Sequence, residues 1–320
     1  MEEQSPYLQG ITAVLFDFDG TLVNSLADIA AAVNAALRHF DLPEIDAAKI
    51  RAFVGDGSKA LIQRAALYSS RSLGMGIEIP AGIIDAIHAW YIQYYNQHPL
   101  AQTTLYPNTT RLLMQLEKRG IHMGIVTSKP GAICRKILQH FGIEHFFTVV
   151  VAQEHVSNLK PHPEGIQKAV RAISARIANV DDPNGLPVVQ DEETSLRRAI
   201  AFVAAADEYS EYDEEFEDEA AQLFVPAPLT QKDIANFAQA LESESADFAA
   251  DAPAFPLLPP EQVLMVGDSA GDINAGAAFG CHTAAVTGGF GNAVKLMEAP
   301  AEIVVQYASD LLMQDAQALL

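Results

Sequence analysis

Cysteine is almost missing from this chain, with Cys134 and Cys281 the only two among 320 residues. Two distant cysteines build neither a disulfide framework nor a thiolate metal site, so both are expected as small buried hydrophobes in a reducing compartment. Long apolar runs are missing too, since no uninterrupted stretch approaches the roughly 18–20 residues that cross a bilayer. The opening Met-Glu-Glu-Gln-Ser-Pro has neither the basic nor the apolar region of a secretory leader. The expectation is therefore a soluble, cytoplasmic protein. Basic residues are scarce, 20 Lys and Arg against 41 Asp and Glu for a net charge of −21. That balance argues against a nucleic-acid backbone or an anionic membrane surface as partner.

Apolar residues are plentiful, 49% of the chain, and the length allows two domains with a sizeable core. Ile11–Asp17 is a short, largely β-branched run that stops abruptly in Asp-Phe-Asp-Gly-Thr. This is the pattern of a buried parallel strand that delivers polar groups at its C-terminal end. Ile121–Thr127, Phe147–Ala152, Gln262–Asp268 and Cys281–Val286 repeat it, with helical patterns at Pro107–Arg119 and Pro130–Phe141 closed by Gly120 and Gly142. Alternating strands and helices predict an α/β fold, a doubly wound, Rossmann-like parallel sheet with ligands at the carboxyl ends of its strands.

Two stretches interrupt that core, which is expected over 1–23, 100–173 and 259–320. Residues 24–99 carry helical patterns only, so an all-helical cap domain inserted after the first strand is predicted. In it Leu26, Ile29, Ala30, Val33, Leu37 and Phe40 share one face, Ser25 and Asp28 stand at capping-box spacing, and further helices are expected at Ser58–Tyr68 and Ala81–Gln97. The second interruption, 174–258, holds 19 acidic and 4 basic residues against 22 and 16 in the remaining 235 positions. It reads as an acidic accessory insertion with partial helical periodicity at Glu192–Phe202 and Ile234–Leu241.

Asp17 and Asp19 stand two residues apart at a strand end, where an extended chain points both the same way and they can share a cation. Three more elements follow at predicted strand ends or helix starts: Val126-Thr127-Ser128-Lys129, Leu159-Lys160-Pro161-His162-Pro163-Glu164, and Val266-Gly267-Asp268-Ser269-Ala270-Gly271-Asp272. In this order the four elements resemble the motifs of the haloacid dehalogenase superfamily of phosphotransferases. The run Asp-Phe-Asp-Gly-Thr-Leu-Val-Asn-Ser with the helix after it is most similar to phosphoglycolate phosphatases and their pyrophosphatase relatives.

The resemblance implies an Mg²⁺-dependent hydrolase of a small phosphorylated metabolite. Asp17 would attack phosphorus and form an aspartyl-phosphate, and Asp19 would pass a proton to the leaving group and take one from water. Asp17, the backbone carbonyl of Asp19 and Asp268 would hold Mg²⁺, with Asp272 orienting a metal-bound water from behind. Thr127, Ser128 and Lys160 would bind the phosphoryl group, Lys160 also serving as a catalytic charge. An Asp at position 19 favours oxygen–phosphorus cleavage over the dehalogenase and phosphonate chemistries. 2-Phosphoglycolate is the expected substrate, with an inorganic pyrophosphatase or a sugar phosphomutase as the rival enzymes. In the cap, Arg51, Lys59 and Arg64 are candidates for a substrate carboxylate. A different class of reading, a catalytically silent protein recruiting a basic partner through the acidic insertion, is opposed by the intact set Asp17, Asp19, Thr127, Lys160 and Asp268, and in the enzyme the insertion is expected to serve self-association or the docking of a basic partner.

Overall fold

The computed structural model describes residues 5–73, 79–182, 185–186 and 255–313. Its centre is a six-stranded sheet of Ala13–Phe16 (β1), His122–Val126 (β4), Phe147–Val151 (β5), Val263–Gly267 (β6), His282–Val286 (β7) and Ile303–Val305 (β8). The strand order is β5-β4-β1-β6-β7-β8 and every pairing is parallel. The chain works outward from β1 through β4 to β5, then crosses to β6 on the other side, so the order reverses between β1 and β6. A doubly wound sheet opens a crevice at such a point, beyond the carboxyl ends of the strands.

Successive side chains of a strand face opposite ways, and here each face meets its own apolar cluster. Val14, Phe16, Ile125, Leu264 and Val266 join one core with Leu112, Leu113 and Leu116 of Thr109–Lys118 (α5) and Ile133 and Ile137 of Gly131–His140 (α6). Ala13, Leu15, Val149, Val263 and Met265 join the other with Ile166, Ala169, Val170 and Ile173 of Glu164–Ala178 (α7) and Ala275 of Ala270–Phe279 (α8). Cys134 and Cys281 are buried and unpaired, as their isolation predicts. No described helix is long and apolar enough to cross a membrane.

Among the described residues of the expected cap lie four helices, Leu26–His39 (α1), Ala47–Arg51 (α2), Ser58–Ser72 (α3) and Ala81–Gln97 (α4). Its two links to the core pair as a short antiparallel ribbon of Val23–Asn24 (β2) and Thr104–Leu105 (β3). The Ser25/Asp28 capping box expected from spacing does not form. Ser25 makes no side-chain cap, and the buried Asp28 instead accepts from the Gln102 and Thr103 amides and the Thr103 hydroxyl, fastening the returning link to α1.

α7 continues to Ala178, past the expected start of the acidic insertion at 174, and the Ser174 hydroxyl accepts from the Leu258 amide at 2.9 Å. Leu186 and Leu258 both pack on the cluster beneath α7. The helical patterns foreseen at Glu192–Phe202 and Ile234–Leu241 lie outside the described residues. A further helix, Ala293–Glu298 (α9), follows β7.

Candidate active site

The Asp17 amide extends the ladder of β1 by donating to Val266 of β6 at 2.9 Å, so its side chain opens into the crevice between these strands. The chain then turns sharply: the amides of Thr21, Leu22 and Val23 all reach back to the Phe18 carbonyl. Gly20 sits at φ +88°, and a Cβ there would lie 2.1 Å from Asp268 Oδ2. Only glycine allows this backbone beside that carboxylate. The turn also undoes the expectation that Asp17 and Asp19 point the same way, since the two carboxyls have separate sets of partners.

Asp17 faces the core. Lys160 Nζ lies 2.9 Å from its Oδ1 and 2.5 Å from Oδ1 of Asp272, and donates to the Val126 carbonyl at 2.9 Å. Asp272 is fully buried and its Oδ2 accepts from the Ser269 amide and hydroxyl at 2.9 and 2.6 Å. It therefore closes a capping box at the start of α8 and pairs with Lys160 at once. Asp268 Oδ2 accepts from the amides of Phe290 and Gly291 at 2.6 and 2.9 Å.

Carboxylate oxygens of Asp17, Asp268 and Asp272 lie within 4.8 Å of one another. Burial, then the neighbouring carboxylate of Asp272, pushes Asp17 up to about 7 against the pull of Lys160. Burial, then Asp17 and Asp272, pushes Asp268 up to about 8. For Lys160 burial works against the charge, but Asp17 and Asp272 outweigh it and hold the ammonium above its ordinary value. Three crowded, buried carboxylates against this one ammonium leave negative charge that a hard divalent cation with oxygen ligands would neutralise. The carboxyl of Asp19 is not in this group.

Asp19 faces the cap instead. Its Oδ1 accepts from the Ser25 hydroxyl at 2.5 Å and from Lys129 Nζ at 3.0 Å, and its Oδ2 from Lys129 at 3.1 Å. Lys129, 4% exposed, gives its third hydrogen bond to the Tyr95 hydroxyl of α4 at 2.6 Å. The Lys129, Ser25 and Tyr95 contacts escaped the sequence reading. A lysine at a helix start reads as solvated, and only the i, i+4 pair of polar-tipped rings at Tyr91 and Tyr95 hinted at the last.

A cavity of about 60 Å³ lies between the two carboxylates and the cap, lined among others by Thr127, Ser128, Tyr91, Gly57 and Ser58. Thr127 Oγ1 accepts from the Lys129 amide at 3.2 Å. The buried hydroxyl oxygen of Ser128 has no hydrogen-bond partner, which leaves it free for a ligand oxygen. The three cap cations sit elsewhere. Arg51 donates from Nε and Nη2 to the carbonyls of Phe290 and Gly289 at 3.0 and 2.7 Å. Arg64 pairs with Asp56 and Lys59 with Asp85 at exposed positions, and none of the three forms a wall of the cavity. On the cap side Ser58 Oγ contacts His88 Nε2 at 2.8 Å and donates to Gln153 of the core at 3.0 Å. Burial, then Lys59, pushes His88 down to about 4, so its ring is neutral near pH 7.

Comparison with known proteins follows the same lines. Residues 14–180 match the family model of haloacid dehalogenase-like hydrolases, and residues 236–311 a second one described as HAD-hydrolase-like. The phosphoglycolate phosphatase of Pasteurella multocida is 35% identical over 148 residues, 46% of this chain and 65% of that protein. This chain thus spans just under two thirds of that relative's length. The phosphoglycolate phosphatases of Cereibacter sphaeroides and Rhodospirillum rubrum are 32% and 30% identical over 58% and 60% of this chain, and 83% and 84% of theirs. Among solved structures, a predicted phosphoglycolate phosphatase from Haemophilus somnus superposes with a TM-score of 0.64 at 21% identity, covering 95% of this chain and 97% of that one. CbbY from Rhodobacter sphaeroides in complex with phosphate reaches 0.58 at 16% identity, covering 94% and 96%. At these identities the superpositions speak for the fold.

Proposed function

Because the chain belongs to the haloacid dehalogenase-like hydrolase family, we propose that it is an Mg²⁺-dependent phosphatase that passes the phosphoryl group of 2-phosphoglycolate through Asp17 to water. The observation that carries this reading is the junction of β1 and β6, where Asp17, Asp268, Asp272 and Lys160 are buried together beside a cavity lined by Asp19, Thr127 and Ser128.

In the first step an Asp17 oxygen bonds to phosphorus as the ester oxygen leaves, and Asp19 gives that oxygen a proton. In the second, water attacks the acyl-phosphate, its proton goes to Asp19, and phosphate departs from a regenerated Asp17. Lys160 holds Asp17 at 2.9 Å and sets a fixed positive charge against the phosphoryl oxygens. Ser128 Oγ and Thr127 offer donors to those oxygens. Asp17, Asp268 and the carbonyl of Asp19 would hold the cation, with Asp272 behind them. Bound there, Mg²⁺ neutralises charge on the carboxylates and the phosphoryl group.

The size of the cavity supports a small substrate. About 60 Å³ corresponds to roughly four to six water-sized positions, enough for a phosphoryl group on a short stem. The start of α3 at Gly57 and Ser58 lines the same cavity, and the positive end of a helix of 15 residues favours a second anionic group there. Pyrophosphate shares the small size and the double charge. A panel of 2-phosphoglycolate, pyrophosphate and hexose phosphates therefore tests the reading, with the highest kcat/KM expected for 2-phosphoglycolate. Asp17→Asn keeps the shape and loses the nucleophile, so turnover should vanish in a folded protein. Normal phosphate release by that variant, or a preference for pyrophosphate, sinks the corresponding part of the reading.

A further inference from the structure

Lys129 is a buried cation that the chemistry above does not use. Its side chain is 2% exposed, and its ammonium straddles both carboxylate oxygens of Asp19 and donates to the Tyr95 hydroxyl. The Tyr95 ring lies 4.5 Å from the same ammonium, and Ser25 is the second residue that donates to Asp19 Oδ1. Ser25 precedes α1 where the chain enters the cap and Lys129 belongs to the core, whereas Tyr95 belongs to cap helix α4.

We propose that Tyr95 positions the carboxyl of Asp19 for proton transfer by anchoring Lys129. The proposal rests on the acid–base role given to Asp19 above. Two donors occupy Oδ1 and one occupies Oδ2, so Oδ2 is the oxygen with room to exchange a proton with a ligand in the cavity that Asp19 lines. A lysine stem has four rotatable bonds, and without the Tyr95 hydroxyl its ammonium is free to swing and take the carboxyl with it. Geometry of this kind governs a step in which a proton passes from Asp19 to the ester oxygen while that oxygen's bond to phosphorus breaks and the bond from Asp17 forms.

The need for that proton depends on the leaving group. An alkoxide such as glycolate requires it, whereas p-nitrophenolate departs without it. Tyr95→Phe keeps the buried ring, 1% exposed, and removes only the hydroxyl. It should lower kcat on 2-phosphoglycolate about ten-fold with KM nearly unchanged, a part of the ~10²–10⁴ that a general acid supplies, and lower kcat on p-nitrophenyl phosphate several-fold less. Lys129→Met removes the intermediary and should shift the ratio of the two rates at least as far. Adding Tyr95→Phe to it should shift the ratio no further, since a residue that acts through another loses its effect with it. Equal losses on both esters, or a further drop in the ratio in the double variant, overturn the proposal. Tyr95→Phe matching the wild type overturns it alone, whereas a wild-type chain that hydrolyses neither ester removes the phosphatase reading and this inference together.

Discussion

Crowding of carboxylates at the end of β1 makes metal binding and pH inseparable, and the consequence can be worked through. Burial and mutual repulsion push Asp17 up to about 7 and Asp268 up to about 8, from an ordinary 3.8. The metal-free folded state thus keeps two protons that the unfolded chain gives up near pH 4. Its stability therefore falls as the pH rises from about 4 to about 8. A cation at this site must displace the same protons. Between pH 8 and pH 5.5 that competition weakens apparent affinity by roughly 10³–10⁴. With Mg²⁺ at ten times its Kd at pH 8, mass action stabilises by about 1.4 kcal/mol, a rise in Tm of roughly 2–3 °C for a chain of 320 residues. At pH 5.5 the same Mg²⁺ concentration should leave Tm unmoved. Thermal unfolding followed by fluorescence at the two pH values reads this directly, and Asp268→Ala should lose the increment at pH 8. An equal rise in Tm at both pH values, or one that survives Asp268→Ala, would refute the argument that these carboxylates hold the ion.

Two predictions concern the scaffold. Glu164 is partly buried, which raises its pKa, but the Ser157 amide, Lys168 and Asn158 together pull it down to about 2. Its stabilisation is therefore complete above about pH 4.5 and lost as the pH falls through about 2, so Glu164→Gln should lower stability by about 1–2 kcal/mol at pH 7 and by about a quarter of that at pH 2.5, allowing for solvent screening; a deficit independent of pH in chemical unfolding would contradict this. Leu186 and Leu258 pack on one apolar cluster beneath α7, and Leu258 bonds to Ser174 near the end of that helix remote from Lys160. Replacing residues 187–254 with a short Gly/Ser linker should thus leave a folded chain that still hydrolyses the substrate, and complete loss of Mg²⁺-dependent hydrolysis in a soluble, folded variant would show the segment to be part of the active site.

The sheet was legible because its strands are continuous apolar runs with abrupt polar ends. Ile121–Thr127 and Gln262–Asp268 read as strands for the same reason that β4 and β6 are buried on both faces. Where the pattern is short it carries no signal. β8 has three residues, Ile303–Val305, and the hinge ribbon has two in each strand. A sequence also gives a charge without its partner. Arg51 looks like a cap cation for a substrate, yet its donors go to backbone carbonyls 238 and 239 residues away. Ser25 looks like a helix cap, yet its hydroxyl serves Asp19. In each case the partner is brought in by the fold or the hinge, beyond the reach of local spacing.

Asp17 and Asp19 illustrate how far local geometry can mislead. Two carboxylates at i and i+2 of an extended chain share a face, and that expectation treats them as one cation site. β1, however, ends at Phe16, and the turn closed on the Phe18 carbonyl separates the two side chains around a fully buried Phe18. Asp17 is left among Lys160, Asp272 and Asp268, all from the core, while Asp19 is left among Ser25 of the hinge and Lys129, which Tyr95 of the cap anchors. Acid–base chemistry beside a carboxylate nucleophile requires the two groups to differ in protonation during the reaction, which identical surroundings would not allow. The glycine at position 20 makes the difference possible, because no side chain fits between this turn and Asp268. The separation of roles thus begins in the backbone, one residue beyond the second carboxylate.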